Sequence, residues 1–175
     1  MKYFSMLIKP ASSKCNINCK YCFYSDIANL RCIKDYGIMD KETSEILIKK
    51  TLGFFNEEAN ITFAFQGGEP TVAGLNYFKN FIEIVNKNKK NYHVINYAIQ
   101  TNGMLINESW ASFFKDNNFL VGISLDGFKE NHDLVRVKGK SSPTFDTVMN
   151  SINLFKKHGV DFNIFRAISE PPTSL

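Results

Sequence analysis

The sequence predicts an α/β fold with parallel strands, and three observations carry that expectation. Short runs rich in β-branched and aromatic residues alternate with longer stretches of helical apolar spacing, strand then helix four times before a fifth strand. Such alternation implies parallel strands joined by right-handed helical crossovers. Each strand also runs into a polar, Pro- or Gly-containing segment, and no shift in composition marks a boundary within the 175 residues.

The first strand is Tyr3 to Lys9, stopped by Pro10. Asp40 caps a helix to about Glu57, with Ile46, Leu47, Leu52 and Phe55 as its apolar face. Ile61 to Phe65 is the second strand, ended by Gly67-Gly68. From Ala73 to about Lys89, Leu75, Phe78, Ile82 and Val85 sit at helical spacing; the Lys87–Lys90 cluster marks the helix end, where cations complement the dipole. Val94 to Ile99 is the third strand, followed by Gln100-Thr-Asn-Gly103. Asn107 opens a short helix carrying Trp110, Phe113 and Phe114, and Phe119 to Leu125 is the fourth strand, closed by Asp126-Gly127. Ser142-Pro143 starts the last helix, with Pro at its first position and Phe145, Val148, Met149, Ile152 and Phe155 inward. Gly159 ends it, and Val160 to Ala167 is the fifth strand. Ligands in such folds collect at the carboxyl ends of the strands. Cys15–Cys22, Gln66–Pro70, Gln100–Gly103 and Ser124–Gly127 are therefore expected to converge on one mouth.

Composition narrows the class. Hydrophobic residues make up 44% and charged residues 22%, which is globular rather than disordered. No apolar run approaches the ~20 residues of a membrane span, and the apolar N-terminus is too short for a signal peptide. A soluble cytoplasmic protein without a membrane partner is the expectation. The net charge of +4 is mild and its main cluster has a helix-end explanation, so no nucleic-acid partner is expected. Sixteen Phe and seven Tyr suit the core of a helix-covered parallel sheet.

Four cysteines fall at positions 15, 19, 22 and 32, within one short N-terminal stretch. A disulfide framework would spread across the chain, so this clustering points to a metal or cluster site. Cys15-x3-Cys19-x2-Cys22 can wrap three thiolates around one centre, and soft sulfur ligands select iron–sulfur clusters, zinc or copper. A [4Fe-4S] cubane on three thiolates keeps one iron open. A zinc site would need a fourth ligand, Cys32 or a histidine, and reach alone leaves that alternative standing. Cys32 reads as an unligated thiol, and His93, His132 and His158 as isolated surface or loop residues.

With Tyr21 just before its last cysteine, the Cys15–Cys22 run resembles the signature of the radical S-adenosylmethionine (SAM) superfamily. Gly67-Gly68-Glu69-Pro70 resembles that superfamily's second motif, on the next strand. Over residues 6–165 the wider string is similar to one branch, the anaerobic sulfatase-maturating enzymes. The matching pieces are Leu7–Ser13, Cys22-Phe-Tyr24, Tyr36–Met39, Phe63–Thr71, Gln100–Gly103, Glu108-Ser-Trp110 and Phe119–Gly122.

The resemblance implies a partial (β/α) barrel with a [4Fe-4S] cluster on Cys15, Cys19 and Cys22, its open iron taking the methionyl amino and carboxylate groups of SAM. The reduced cluster then breaks the sulfonium C–S bond and releases a 5′-deoxyadenosyl radical that abstracts hydrogen. By the same resemblance Gly67 and Gly68 let the backbone approach SAM, while Glu69 and Pro70 shape the loop meeting the methionyl ammonium. Tyr21 lies against adenine, Gln66 and Ser124 serve the methionine moiety and ribose, and Tyr24 sits near the substrate. Thr101-Asn102 and Asp126 read equally as ordinary turns, and Arg136 as a carboxylate partner or a solvated cation. An intact member oxidises a Cys or Ser of a sulfatase to Cα-formylglycine, with a reduced flavodoxin- or ferredoxin-type electron donor.

Members of that branch are longer, adding a sixth strand and a cysteine-rich domain with auxiliary clusters, and the aspartate proposed as base lies in that added part. This sequence ends at Leu175 in a Pro-Pro tail unlike theirs. Residues 1–175 are therefore expected to form an incomplete core, from a truncated gene, a frameshift or a designed fragment. Its unpaired fifth strand would promote self-association, and full turnover is not expected. A related peptide-modifying radical SAM enzyme and a non-catalytic cluster- or zinc-binding remnant are the rival readings.

Overall fold

A computed structural model describes residues 1–167; the Pro-Pro tail lies outside the described residues. The first half contains β1 (Lys2–Ile8), β2 (Asn18–Cys19), α1 (Phe23–Asn29), α2 (Lys41–Phe54), β3 (Ala59–Phe65) and α3 (Leu75–Asn88). Then come β4 (His93–Thr101), α4 (Glu108–Asp116), β5 (Phe119–Ser124), α5 (Lys129–Val135), β6 (Arg136–Val137), α6 (Phe145–His158) and β7 (Asp161–Phe165). Five strands form one sheet in the order β1-β3-β4-β5-β7, every neighbouring pair parallel. The predicted α/β architecture is the observed one.

One face of the sheet is closed by helices. Ile61, Phe63 and Phe65 alternate inward from β3 and are at most 1% exposed, beside Phe78 and Phe81 of α3. The Phe65 ring meets Phe78 and Phe81 edge-on at centroid distances of 4.9 and 5.1 Å, favourable for aromatic quadrupoles. The phenylalanine-rich composition is spent here. The opposite face carries Leu7, Ala64, Ala98, Leu120 and Gly122 around a shallow hollow, giving the sheet the open inner side of a partial barrel. Among the described residues no helix is long and apolar enough to cross a membrane.

Helix boundaries follow their caps. The Asp40 side chain accepts from Thr43 N at 2.7 Å, and Asn107 Oδ1 accepts from Trp110 N at 3.1 Å, starting α2 and α4 where the sequence places them. Two helix details differ. The buried stripe of α2 is Ser44, Ile48, Thr51 and Leu52, whereas Ile46 is 48% exposed. Two residues from Ile48 on a helix is more than half a turn, so Ile46 cannot share that stripe. Pro143 precedes α6 instead of opening it, because Asp133 Oδ1 accepts from both Thr144 N and Phe145 N at 2.8 Å and sets the first turn there.

The histidines also correct the sequence reading. His93 and His132 are buried rather than superficial. His93 Nδ1 accepts from Lys90 N at 3.3 Å and its Nε2 faces the Phe55 carbonyl at 3.1 Å. His132 Nδ1 accepts from Asp126 N at 3.2 Å, and Nε2–H donates to Thr144 Oγ1 at 3.0 Å, whose own proton goes to the Arg136 carbonyl. Burial holds His132 below the usual histidine range, in keeping with this neutral tautomer. His158 bonds the Glu108 carboxylate and Ser112.

Candidate functional site

The four strand-end segments do converge. They wall a cavity of about 720 Å³ containing Cys15, Cys19, Tyr21, Cys22, Tyr24, Gln66, Gly67, Gly68, Glu69, Gln100, Asn102, Ser124 and Arg136. Pro70 is not in its lining; buried behind it, this residue starts a short 3-10 turn, Pro70–Ala73. Cys32 is exposed and away from the cavity wall.

The cysteine loop is pinned from two sides. On one side Glu69 N donates to the Lys14 carbonyl at 2.7 Å, so the turn after β3 is stapled to the residue preceding Cys15. Gly68 makes this possible: its φ is +53°, and a Cβ there would overlap the Lys14 carbonyl oxygen and stand 3.0 Å from the Ser13 carbonyl carbon. Gly68→Ala is expected to destabilise the chain by about 2 kcal/mol, the cost of a left-handed non-glycine residue plus this overlap. A urea midpoint equal to wild type would show that the turn is not held against Lys14.

On the other side, β2 and β6 form a two-residue antiparallel ribbon pairing Cys19 with Arg136 and Asn18 with Val137. Neither this ribbon nor α1 and α5 was legible in the sequence. Strands of two residues carry no periodicity to read.

Glu69 is 1% exposed, and its carboxylate is used entirely within the chain. Oε1 accepts from Thr71 N (3.0 Å), Thr71 Oγ1 (2.6 Å) and Thr101 Oγ1 (2.7 Å), while Oε2 accepts from Asn102 N (2.7 Å). Burial pushes this carboxyl up, against the pull of those donors. Glu69 thus clamps the β3 turn to the β4 turn. Thr101 and Asn102, read as an ordinary turn, are its partners, and Asn102 Nδ2 lies 3.6 Å from Cys15 Sγ.

Asp126 is the second hub. It pairs with Arg136 Nε at 2.7 Å, accepts the Tyr21 hydroxyl, and takes Ala167 N at 3.1 Å. Burial raises its carboxyl, but the Arg136 and Tyr21 hydrogen bonds and the Arg136 charge outweigh this and hold it below its ordinary value. Arg136 is a buried, ion-paired cation rather than a solvated one. Its guanidinium lies 5.4 Å from the Tyr21 ring centroid, and Nη1 lies 3.6 Å from Cys19 Sγ.

The donor set fits an iron–sulfur cluster. Burial raises the Cys19 thiol to about 11 despite Arg136, and raises Cys15 as well, with neighbouring thiolates adding to both. Three thiolates sharing one cavity repel one another unless a metal core supplies positive charge. Asn102 and Arg136 supply N–H groups at sulfur, a feature that orients and tunes cluster ligands. Zinc is served less well. A fourth protein ligand is not at hand among the described residues, since Cys32 lies off the cavity wall and every histidine has both ring nitrogens engaged.

The comparisons with known proteins point to one family. The sequence model described as the radical SAM superfamily matches residues 10–168. A cysteine-type anaerobic sulfatase-maturating enzyme of Clostridium novyi (strain NT) is 51% identical over 172 residues, 97% of this chain and 45% of that protein. The solved structure of native anSMEcpe with bound AdoMet matches with a TM-score of 0.85 at 48% identity, over 92% of this chain and 43% of that one. Native anSMEcpe with bound AdoMet and Kp18Cys peptide matches with a TM-score of 0.84 at 47% identity, over 93% and 42%. The chain therefore spans less than half the length of these relatives. Because the family match runs through the cysteine loop and every strand end that walls the cavity, this chain belongs to the radical SAM superfamily, whose members use a [4Fe-4S] cluster and SAM.

Proposed function

We propose that the chain is the cofactor-bearing core of a radical SAM peptide-modifying oxidoreductase. One observation carries the reading: Cys15, Cys19 and Cys22 share a single cavity with the Gly67-Gly68 turn. The three thiolates would hold the cluster, leaving one iron for SAM. When bound and reduced, that cluster supplies the electron that cleaves the SAM C–S bond to give a 5′-deoxyadenosyl radical.

The chain's own residues orient these groups. Gly67 and Gly68 offer bare backbone to the methionyl ammonium, with Glu69 and Pro70 holding the turn from behind. Tyr21 offers its ring to adenine, its hydroxyl being occupied by Asp126. Gln66 and Ser124 offer polar atoms to the methionine moiety and ribose. Tyr24 shares the cavity wall and would sit near the substrate, its ring lying 4.7 Å from the Lys9 ammonium.

The sulfatase-maturating relative and the peptide-bound structure support a peptide substrate, and the reading is that a Cys or Ser of a sulfatase is oxidised to Cα-formylglycine. A reduced flavodoxin or ferredoxin would deliver the electron. The outer edge of β7, unpaired among the described residues, would favour self-association, which sedimentation at rising concentration measures.

The test is anaerobic reconstitution with iron and sulfide, then reduction with SAM. A brown protein that yields 5′-deoxyadenosine, and with the whole protein an aldehyde on a cysteine peptide, is the expected result. Colourless protein carrying one zinc per chain would overturn the reading.

A further inference from the structure

Gln100 lies opposite Gly122 in the β4–β5 register, and Ser124 lies two residues further along β5. The Gln100 side chain crosses onto β5, where Nε2 donates to Ser124 Oγ at 3.0 Å. That crossing requires glycine beneath it. A Cβ at position 122 would overlap Gln100 Oε1 and stand 2.8 Å from Phe165 Cε2. Gly122 is not among the positive-φ residues, so glycine is needed there for space and not for backbone conformation.

A serine hydroxyl has one proton and two lone pairs. Gln100 occupies a lone pair, and Ser124 lines the cavity with no acceptor for its own proton among the described residues. We propose that Gln100, seated on Gly122, sets the hydrogen-bond polarity of Ser124, so that this wall of the cavity donates to an acceptor oxygen of the bound sulfonium nucleotide. The inference rests on the SAM-binding reading above. The acceptor is the methionyl carboxylate or a ribose oxygen. Gln100 is a positioning residue, acting through Ser124.

The test measures binding by calorimetry on the cluster-loaded chain with SAM and on the cluster-free chain with S-adenosylhomocysteine, with thermal midpoints alongside. Ser124→Ala and Gln100→Glu are each expected to weaken binding about tenfold, the latter because a carboxylate can only accept and draws the Ser124 proton away from the cavity. Gln100→Met, which removes the bond without reversing it, is expected to cost less, and nothing further in the Ser124→Ala background. A Gln100→Glu penalty that persists with methylthioadenosine assigns the ribose; one confined to ligands bearing the methionyl carboxylate assigns that group.

Gln100→Glu binding like wild type, or Gln100→Met costing as much without Ser124 as with it, would overturn the proposal. Wild-type binding with indifferent Gln100 variants removes this inference alone, whereas a wild-type chain that binds no SAM removes the function reading with it.

Discussion

Cys19→Ala is expected to leave a folded chain that assembles no stable [4Fe-4S] cluster and forms 5′-deoxyadenosine only at the background rate. The fold tolerates the change because the ribbon around Cys19 is held by backbone: Lys20 N donates to the Val135 carbonyl at 2.9 Å, and Cys22 N to the Cys19 carbonyl at 3.2 Å. Removing one sulfur from a half-buried site should shift apo stability by no more than about 1 kcal/mol. The proposed cluster, by contrast, would lose one of its three protein ligands, and no spare thiol is near, since Cys32 is absent from the cavity wall. Iron and sulfide per chain, and the paramagnetic signal after reduction, measure the outcome. Wild-type iron content in this variant would dismiss Cys19 as a ligand.

Asp126→Ala is expected to destabilise the chain by about 3–5 kcal/mol, the usual effect of leaving a buried charge without its partner. The Arg136 and Asp126 side chains are only 10% and 6% exposed, so the orphaned guanidinium has little water to turn to. Tyr21 would lose its acceptor at the same time. For a chain of this size the thermal midpoint should fall on the order of 10 °C, provided unfolding is two-state. Removing both charges, as Asp126→Ala with Arg136→Met, should recover more than half of the loss. A single variant melting within about 2 °C of wild type would refute the hub role of Asp126. Acid should weaken the same contact. The folded carboxyl is held below its ordinary value, so its contribution is complete above the usual aspartate range near 4 and fades as pH falls through the depressed value.

These two positions differ in how readily the sequence discloses them. Three cysteines in eight residues, placed after a strand, point to a metal-binding loop because so short a segment can turn three thiolates toward one centre. The Gly-Gly turn was similarly visible, as were the helix starts at Asp40 and Asn107, since capping is a local hydrogen bond between residues three apart. Asp126 in an Asp-Gly dipeptide looks like any turn. Only the return of the chain through α5 into the β2–β6 ribbon brings Arg136 against it and against Cys19. Buried His132 was hidden for the same reason: its partners, Asp126 N and Thr144 Oγ1, come from the two flanking loops.

The amino-acid order alone determined the alternation of strands and helices, the aromatic core and the kind of atoms offered to a cofactor, because these depend on periodicity and on chemistry carried within a few residues. Tertiary structure alone decided how those atoms are oriented: Glu69 as an internal clamp, Asp126–Arg136 as a buried pair beside Cys19, Gln100 lying across Gly122. Each of these is a hydrogen bond or ion pair between separate elements, so its energy exists only once the sheet has set their register.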